Sequence, residues 1–307
     1  MKNFKNLAGV MVTLGLCAAQ TAGAASDYAG TKYPLILAHG MSGFDNIGPL
    51  EYWYGIPGDL RRNGAKVYVT QESAISTSTE RGEQFLTQVE DILAISGASK
   101  ANLIGHSHGD QSVRYVAGVR PNLIASATSV AGATKGSPVA DLISGVTKLT
   151  GTTGLLASIG NALGKLVSAL AGENLPQNTA GGLMDLTSKG AKAFSQRFPG
   201  GIPRTSCGEG AYEYKGVRYY SWAGVAQMTN KADPVDYLMS ITSLAFLGKG
   251  NDGMVGGCYS HLGKVIRDDY PLNHFDIVNQ VVGLVGPGAD PVSLFRIHAN
   301  RLKTAGL

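Results

Sequence analysis

Charge is scarce in this chain. Only 16% of its 307 residues are Asp, Glu, Lys or Arg, and aromatic residues make up 7%. No basic stripe with interleaved aromatics runs along it, which argues against nucleic-acid binding. The formal net charge of +4 falls to +2 once Lys2 and Lys5 are set aside with the leader they belong to. Cysteine is scarcer still, at three residues in all. The apolar stretch Leu7 to Ala19 is too short to cross a bilayer comfortably, since a spanning helix needs about 20 residues. Internal repeats and disordered linkers are also missing, which excludes a repeat array. The length suits one large domain with a substantial core, or at most two.

The N-terminus has the pattern of a secretory signal peptide. Lys2 and Lys5 form the positive region, Leu7 to Ala19 the apolar region, and Ala22-Gly23-Ala24 the small-residue cleavage segment. Residues 1–24 are therefore expected to be removed and the mature chain exported. Cys17 is a poor lipoprotein cysteine, because bulky Leu16 precedes it. It leaves with the leader, so Cys207 and Cys258 remain. Two cysteines in an exported chain suggest one disulfide.

Downstream, apolar runs alternate with helical periodicity. Tyr33 to Ala38 reads as a strand buried on both faces, followed by His39-Gly40. Ala65 to Gln71, Leu103-Ile104, Ser126 to Ala131 and Tyr219 to Gly224 read as further strands. Glu80 to Ser96 reads as a helix with Phe85, Leu86, Val89, Ile92 and Leu93 on one face. This alternation predicts an α/β fold with a mainly parallel sheet covered on both faces. Thr147 to Gly172 departs from it, being almost uncharged with leucines at helical spacing. A mobile lid over an apolar pocket is the expectation there, with a plain core helix as the alternative.

The most informative stretch is Gly105-His106-Ser107-His108-Gly109, set between an apolar strand and a helical pattern. G-x-S-x-G in that setting is a nucleophile elbow, a tight turn that lifts the serine hydroxyl above a helix N-terminus. A serine needs a base with a pKa near neutrality, which points to histidine. Of six histidines, His274 sits in a loop before an apolar segment read as a helix. His39, His106 and His108 shape the pocket, His261 has no clear context, and His298 is expected on the surface. Asp252, in Asn251-Asp252-Gly253, is the acid expected to fix the tautomer of His274. The order Ser107, Asp252, His274 is that of the α/β-hydrolase fold. An oxyanion hole would use the backbone N–H of His108 and that of Met41, which follows His39-Gly40.

With these segments assembled, the chain resembles the bacterial true lipases of the Pseudomonas type, the family I lipases. The resemblance rests on His39-Gly40-Met41, on Gly105 to Gly109, on Asn251 to Val255 and on His274-Phe275-Asp276. It implies an α/β-hydrolase fold with a helical lid near 147–172 inside a catalytic domain of residues 25–307. It implies secreted triacylglycerol hydrolysis through Ser107, Asp252 and His274, with triacylglycerol met at a lipid–water interface. It also implies a periplasmic lipase-specific foldase as partner and a disulfide between Cys207 and Cys258. One structural Ca2+ is implied on Asp233, Asp276 and the carbonyls of Gln280 and Leu284, a donor set of hard oxygens. Without the resemblance, Asp276 reads as a helix N-cap and Asp233 as a turn residue before proline. A soluble carboxylesterase and a lipolytic acyltransferase share the same catalytic residues and are the competing readings.

Overall fold

The computed structural model describes residues 26–41, 46–47, 50–145 and 177–307. The expected signal peptide and the expected lid lie outside the described residues.

Six strands form the parallel body of one sheet: β1 (Leu35–Ala38), β4 (Val67–Val69), β5 (Ala101–His106), β6 (Ile124–Val130), β8 (Val217–Gly224) and β9 (Lys264–Tyr270). They lie in the order β4-β1-β5-β6-β8, with β9 parallel to the end of β8. The short strand β7 (Glu213–Tyr214) pairs antiparallel with the start of β8. Between β1 and β4, the two-residue strands β2 (Asn46–Ile47) and β3 (Leu50–Glu51) form a separate hairpin.

β1 is buried along its whole length, and its side chains divide between two cores. Leu35 and Leu37 meet Ile56 and Leu60 of α1 (Ile56–Arg62) and Phe295, Ala299 and Leu302 of the C-terminal helix Pro291–Thr304. Ile36 and Ala38 meet Phe85 and Val89 of α2 (Ser78–Ser96) and Val113 and Val116 of α3 (Gly109–Val119). Period-two alternation in a strand sandwiched by helices requires this split. Each fully buried Leu or Ile adds about 1.5–3 kcal/mol.

Local signals set the ends of the elements. α2 starts two residues before the sequence reading, because Thr77 and Glu80 form a capping box. It stops at Gly97, which takes a left-handed backbone with φ 66°. β9 was not foreseen. Its sequence, KVIRDDY, is half charged and lies at the partly exposed edge of the sheet, so it lacks the apolar run of a buried strand.

Two expectations about histidines are corrected. His298 is buried, not at the surface, and its Nε2 lies 2.9 Å from Thr128 Oγ1. It packs edge-on to Tyr220 and tilted against Trp222. Burial and the nearby Arg301 push its pKa well below the ordinary value. One turn on along the same helix, Arg301 Nη1 lies 3.1 Å from His298 Nδ1. His274 is followed by a single 3-10 turn, Asp276–Val278, and not by the apolar helix expected. Asn279, Val281 and Val282 have φ of 60°, 58° and 51°, so the chain bends out of helical geometry at once.

Candidate active site

The elbow is as tight as its glycines imply. Ser107 sits at φ 56°, a strained left-handed position for a residue with a side chain. A Cβ on Gly105 would lie 2.2 Å from the Gly109 carbonyl oxygen, and one on Gly109 would lie 2.3 Å from that of Ala38. Both glycines are needed for strand β5, helix α3 and strand β1 to meet at the turn.

Ser107 Oγ lies 2.9 Å from His274 Nε2, and His274 Nδ1 lies 2.8 Å from Asp252 Oδ2. The carboxylate accepts from Nδ1–H, which leaves Nε2 free to accept from the serine hydroxyl. Asp252 has its second oxygen occupied: Oδ1 accepts from the N–H groups of Met254 and Val255 at 2.9 and 2.7 Å. Its main chain also holds His274, whose N–H donates to the Asp252 carbonyl at 3.0 Å. Aspartate therefore serves here both as the turn former that Asp-Gly suggests and as the partner of His274. Gly253, at φ 97°, permits that turn.

On the other side of Ser107 lies the turn after β1. A Cβ on Gly40 would come within 2.7 Å of Ser107 Cβ, so this backbone runs against the serine. His39 Nε2 accepts from the Glu72 N–H at 3.1 Å. That fixes the proton on Nδ1, which donates to the Gly40 carbonyl at 2.8 Å. Burial, reinforced by Arg81, drives the His39 pKa down to about 3, so the ring stays neutral. Arg81 donates to the His39 carbonyl at 2.6 Å and pairs with Glu72 at 3.1 Å, all fully buried. The trans peptide joining Gly40 and Met41 thus has its carbonyl pinned, which points the Met41 N–H the opposite way. Met41 and Ser107 line one apolar cavity with Val139, Leu183, Leu186 and Val255. His108 begins α3 from the other flank as its N-cap residue.

A second cluster lies behind the His274 loop. Asp233, Asp236 and Asp276 are fully buried, with one carboxylate oxygen of each within 4.8 Å of the others. Asp236 is satisfied: it accepts from the N–H groups of Thr229 and Asn230 at 2.6 Å and takes Asn273 Nδ2 as a further donor at 2.5 Å. Among the described residues, Asp233 Oδ2 and Asp276 Oδ1 have no hydrogen-bond partner. Burial, with the neighbouring carboxylates adding to it, raises Asp276 to about 6, and burial likewise raises Asp233. Two orphaned buried carboxylate oxygens beside a third acid fit a hard cation. Gln280 is buried and Leu284 half-buried in the left-handed segment that follows Asp276. The sequence reading missed Asp236, although Asp233 is the N-cap of helix Pro234–Thr242 and Asp236 lies in its first turn, so both stand at one helix end.

Cys207 and Cys258 stand at disulfide distance, with Cα atoms 4.7 Å apart. His261 acquires a context the sequence did not offer: its Nε2 lies 2.9 Å from Asp268 Oδ2 and its Nδ1 lies 3.0 Å from the Gly208 carbonyl.

The model of the α/β hydrolase fold family matches residues 33–256. The chain is 50% identical over 284 residues to a triacylglycerol lipase of Vibrio cholerae, covering 91% of this chain and 90% of that protein. It is 40% identical to a triacylglycerol lipase of Pseudomonas fragi, covering 92% and 99% of the two chains. This chain belongs to the bacterial triacylglycerol lipases of the α/β-hydrolase family. Among solved structures, Bacillus licheniformis lipase BlEst2 in its mature form aligns with a TM-score of 0.58 at 16% identity, covering 81% of this chain and 87% of that one. Staphylococcus hyicus lipase aligns at 0.57 and 16%, covering 90% and 97%. Those two likenesses speak to the fold alone.

Proposed function

We propose that this chain is a secreted triacylglycerol lipase that works through an acyl-enzyme formed on Ser107. The observation carrying this reading is the unbroken hydrogen-bonded line Ser107–His274–Asp252 beside an apolar cavity. His274 Nε2 takes the serine proton as Oγ attacks the ester carbonyl carbon. The oxyanion that forms is met by the N–H groups of Met41 and His108. His274 then gives its proton to the departing alkoxide, and the alcohol leaves. Water attacks the acyl-enzyme with His274 again as base, and the fatty acid is released. Asp252 keeps the imidazole in one tautomer and balances its charge when protonated. The cavity lined by Val139, Leu183, Leu186 and Val255 suits an acyl chain.

Asp233 and Asp276, with the Gln280 and Leu284 carbonyls, would hold one Ca2+, with Asp236 bracing the surrounding backbone. The ion would supply compensating positive charge that ties the His274 loop to the Asp233 segment. Residues 1–24 would be the signal peptide, residues 25–307 the catalytic domain, and 147–172 the lid. Export would follow folding in the periplasm with a dedicated foldase.

The test compares emulsified long-chain triacylglycerol with a dissolved short-chain ester, for wild type and Ser107→Ala. The expected result is activity that rises when the emulsion forms and falls on the order of a millionfold in the variant. Activity on the dissolved ester alone would make the protein a carboxylesterase. Acyl transfer to an added alcohol in preference to water would make it an acyltransferase. Wild-type activity in Ser107→Ala would refute the mechanism.

A further inference from the structure

We propose that Tyr52 and His106 form a positioning relay that locks the oxyanion-hole turn to the loop carrying the catalytic base. The proposal rests on the hydrolase reading above and adds two residues to it.

The direction of every hydrogen bond in the relay follows from its two ends. The Gly40 N–H can only donate, and it does so to Tyr52 Oη at 3.0 Å. The His274 carbonyl can only accept, and it lies 2.9 Å from His106 Nε2. Nε2 therefore carries the ring proton. His106 is fully buried, and burial, together with His274 close by, pushes its pKa well below the ordinary value. In the neutral ring Nδ1 is then an acceptor. It stands 2.5 Å from Tyr52 Oη, so the phenol donates its proton there. One ordered chain thus runs from the Gly40 N–H through Tyr52 and His106 to the carbonyl of His274. Reversing any link leaves a buried donor facing a donor, which costs about as much as losing the bond.

The chain ties the turn after β1 and the end of β5, which are neighbours in the sheet, to the His274 loop, which lies outside it. Gly40 lies one residue before Met41, His106 one residue before Ser107, and His274 supplies the base. Rigid rings fill the space around the chain. Tyr52 packs edge-on to Trp53, and Trp53 edge-on to both His106 and Phe295. A Cβ on Gly40 would lie 2.8 Å from Tyr52 Oη, which gives this glycine a second reason to be one. With its N–H held by Tyr52 and its carbonyl held by His39, Gly40 has both peptide groups fixed, and the Met41 N–H inherits that orientation.

A relay of this kind acts when charge develops on the ester oxygen. Its loss therefore appears in kcat rather than in KM. Tyr52→Phe keeps the ring and removes the oxygen. The expected result on a dissolved short-chain ester is a fall in kcat of about 10- to 100-fold, the scale of a displacement near 1 Å in the site. KM should stay within about twofold. His106→Gln keeps a donor that reaches the His274 carbonyl, whereas His106→Asn does not, so the Gln variant should retain more kcat than the Asn variant. Tyr52→Phe combined with His106→Asn should lose little beyond the worse single variant, because both break one chain. A Tyr52→Phe enzyme with wild-type kcat would overturn the proposal, and so would equal kcat in the two His106 variants. Ser107→Ala, assayed alongside, separates the two levels. If it is inert while Tyr52→Phe is unimpaired, only the relay fails; if it is as active as wild type, the hydrolase reading fails.

Discussion

Gly105→Ala tests how much of the activity depends on the tightness of the elbow. The added Cβ would lie 2.2 Å from the Gly109 carbonyl oxygen, 2.4 Å from its carbon and 2.8 Å from Asp110 N. All three are backbone atoms at the start of α3, so no side chain can swing aside. Reaching ordinary contact at 3.4 Å requires an opening of about 1.2 Å between β5 and α3. Overpacking of this sort costs about 1–3 kcal/mol. At about 2–4 °C per kcal/mol for a chain of this size, the melting temperature should fall by about 2–12 °C. The catalytic loss should be larger in proportion. Ser107 sits at the moving point, and its 2.9 Å contact with His274 would lengthen beyond hydrogen-bonding range. A shift near 1 Å costs on the order of 100-fold in rate. The assay is kcat and KM on a dissolved short-chain ester together with a thermal melt. Gly250→Ala is the control, because among the described residues its Cβ would meet only Val225 side-chain atoms at 3.5 and 3.8 Å. A Gly105→Ala enzyme with wild-type kcat and melting temperature would refute the close-approach argument.

The buried acids give two more predictions. Asp276→Asn should melt at the same temperature with calcium and with chelator, whereas wild type should lose stability on chelation; equal responses would count against the cation site. The gap should also depend on pH. In the metal-free protein Asp276 titrates near 6, above its ordinary 3.8, so the folded state favours the protonated acid. Stability without calcium should fall as pH rises through that range and stay low above it. The difference between calcium and chelator melts should therefore widen from pH 5 to pH 8, and a constant difference would contradict this. Breaking the Cys207–Cys258 link, which closes 51 residues, should cost about 4 kcal/mol by loop-closure entropy; unchanged urea unfolding of the Cys207→Ser, Cys258→Ser double variant would refute that estimate.

Much of the site was legible in the sequence because its signals are local. Gly105 and Gly109 mark an elbow through steric demands within five residues. The strand before it and the helix after it announce themselves by hydrophobic period. Asp252-Gly253 marks a turn, and that turn is what holds the acid in place. The strands of the parallel body that are buried on both faces were legible for the same reason, whereas β9 was not, because an edge strand carries charge.

Other features are set by residues far apart in the chain. His298 looked like a surface residue until strand β6 and Trp222 closed over it. Asp276 met Asp233 and Asp236 only when the Asn273 segment folded onto the start of their helix. The tautomers of His39, His106 and His274 are decided by backbone groups and a carboxylate that lie between 1 and 168 residues away. By itself the sequence determined the fold class and pointed to Ser107, Asp252 and His274 in that order, since periodicity and turn chemistry are written in neighbouring residues. Tertiary structure alone decided which buried polar groups face one another, because a hydrogen bond between distant segments leaves no periodic trace in either of them.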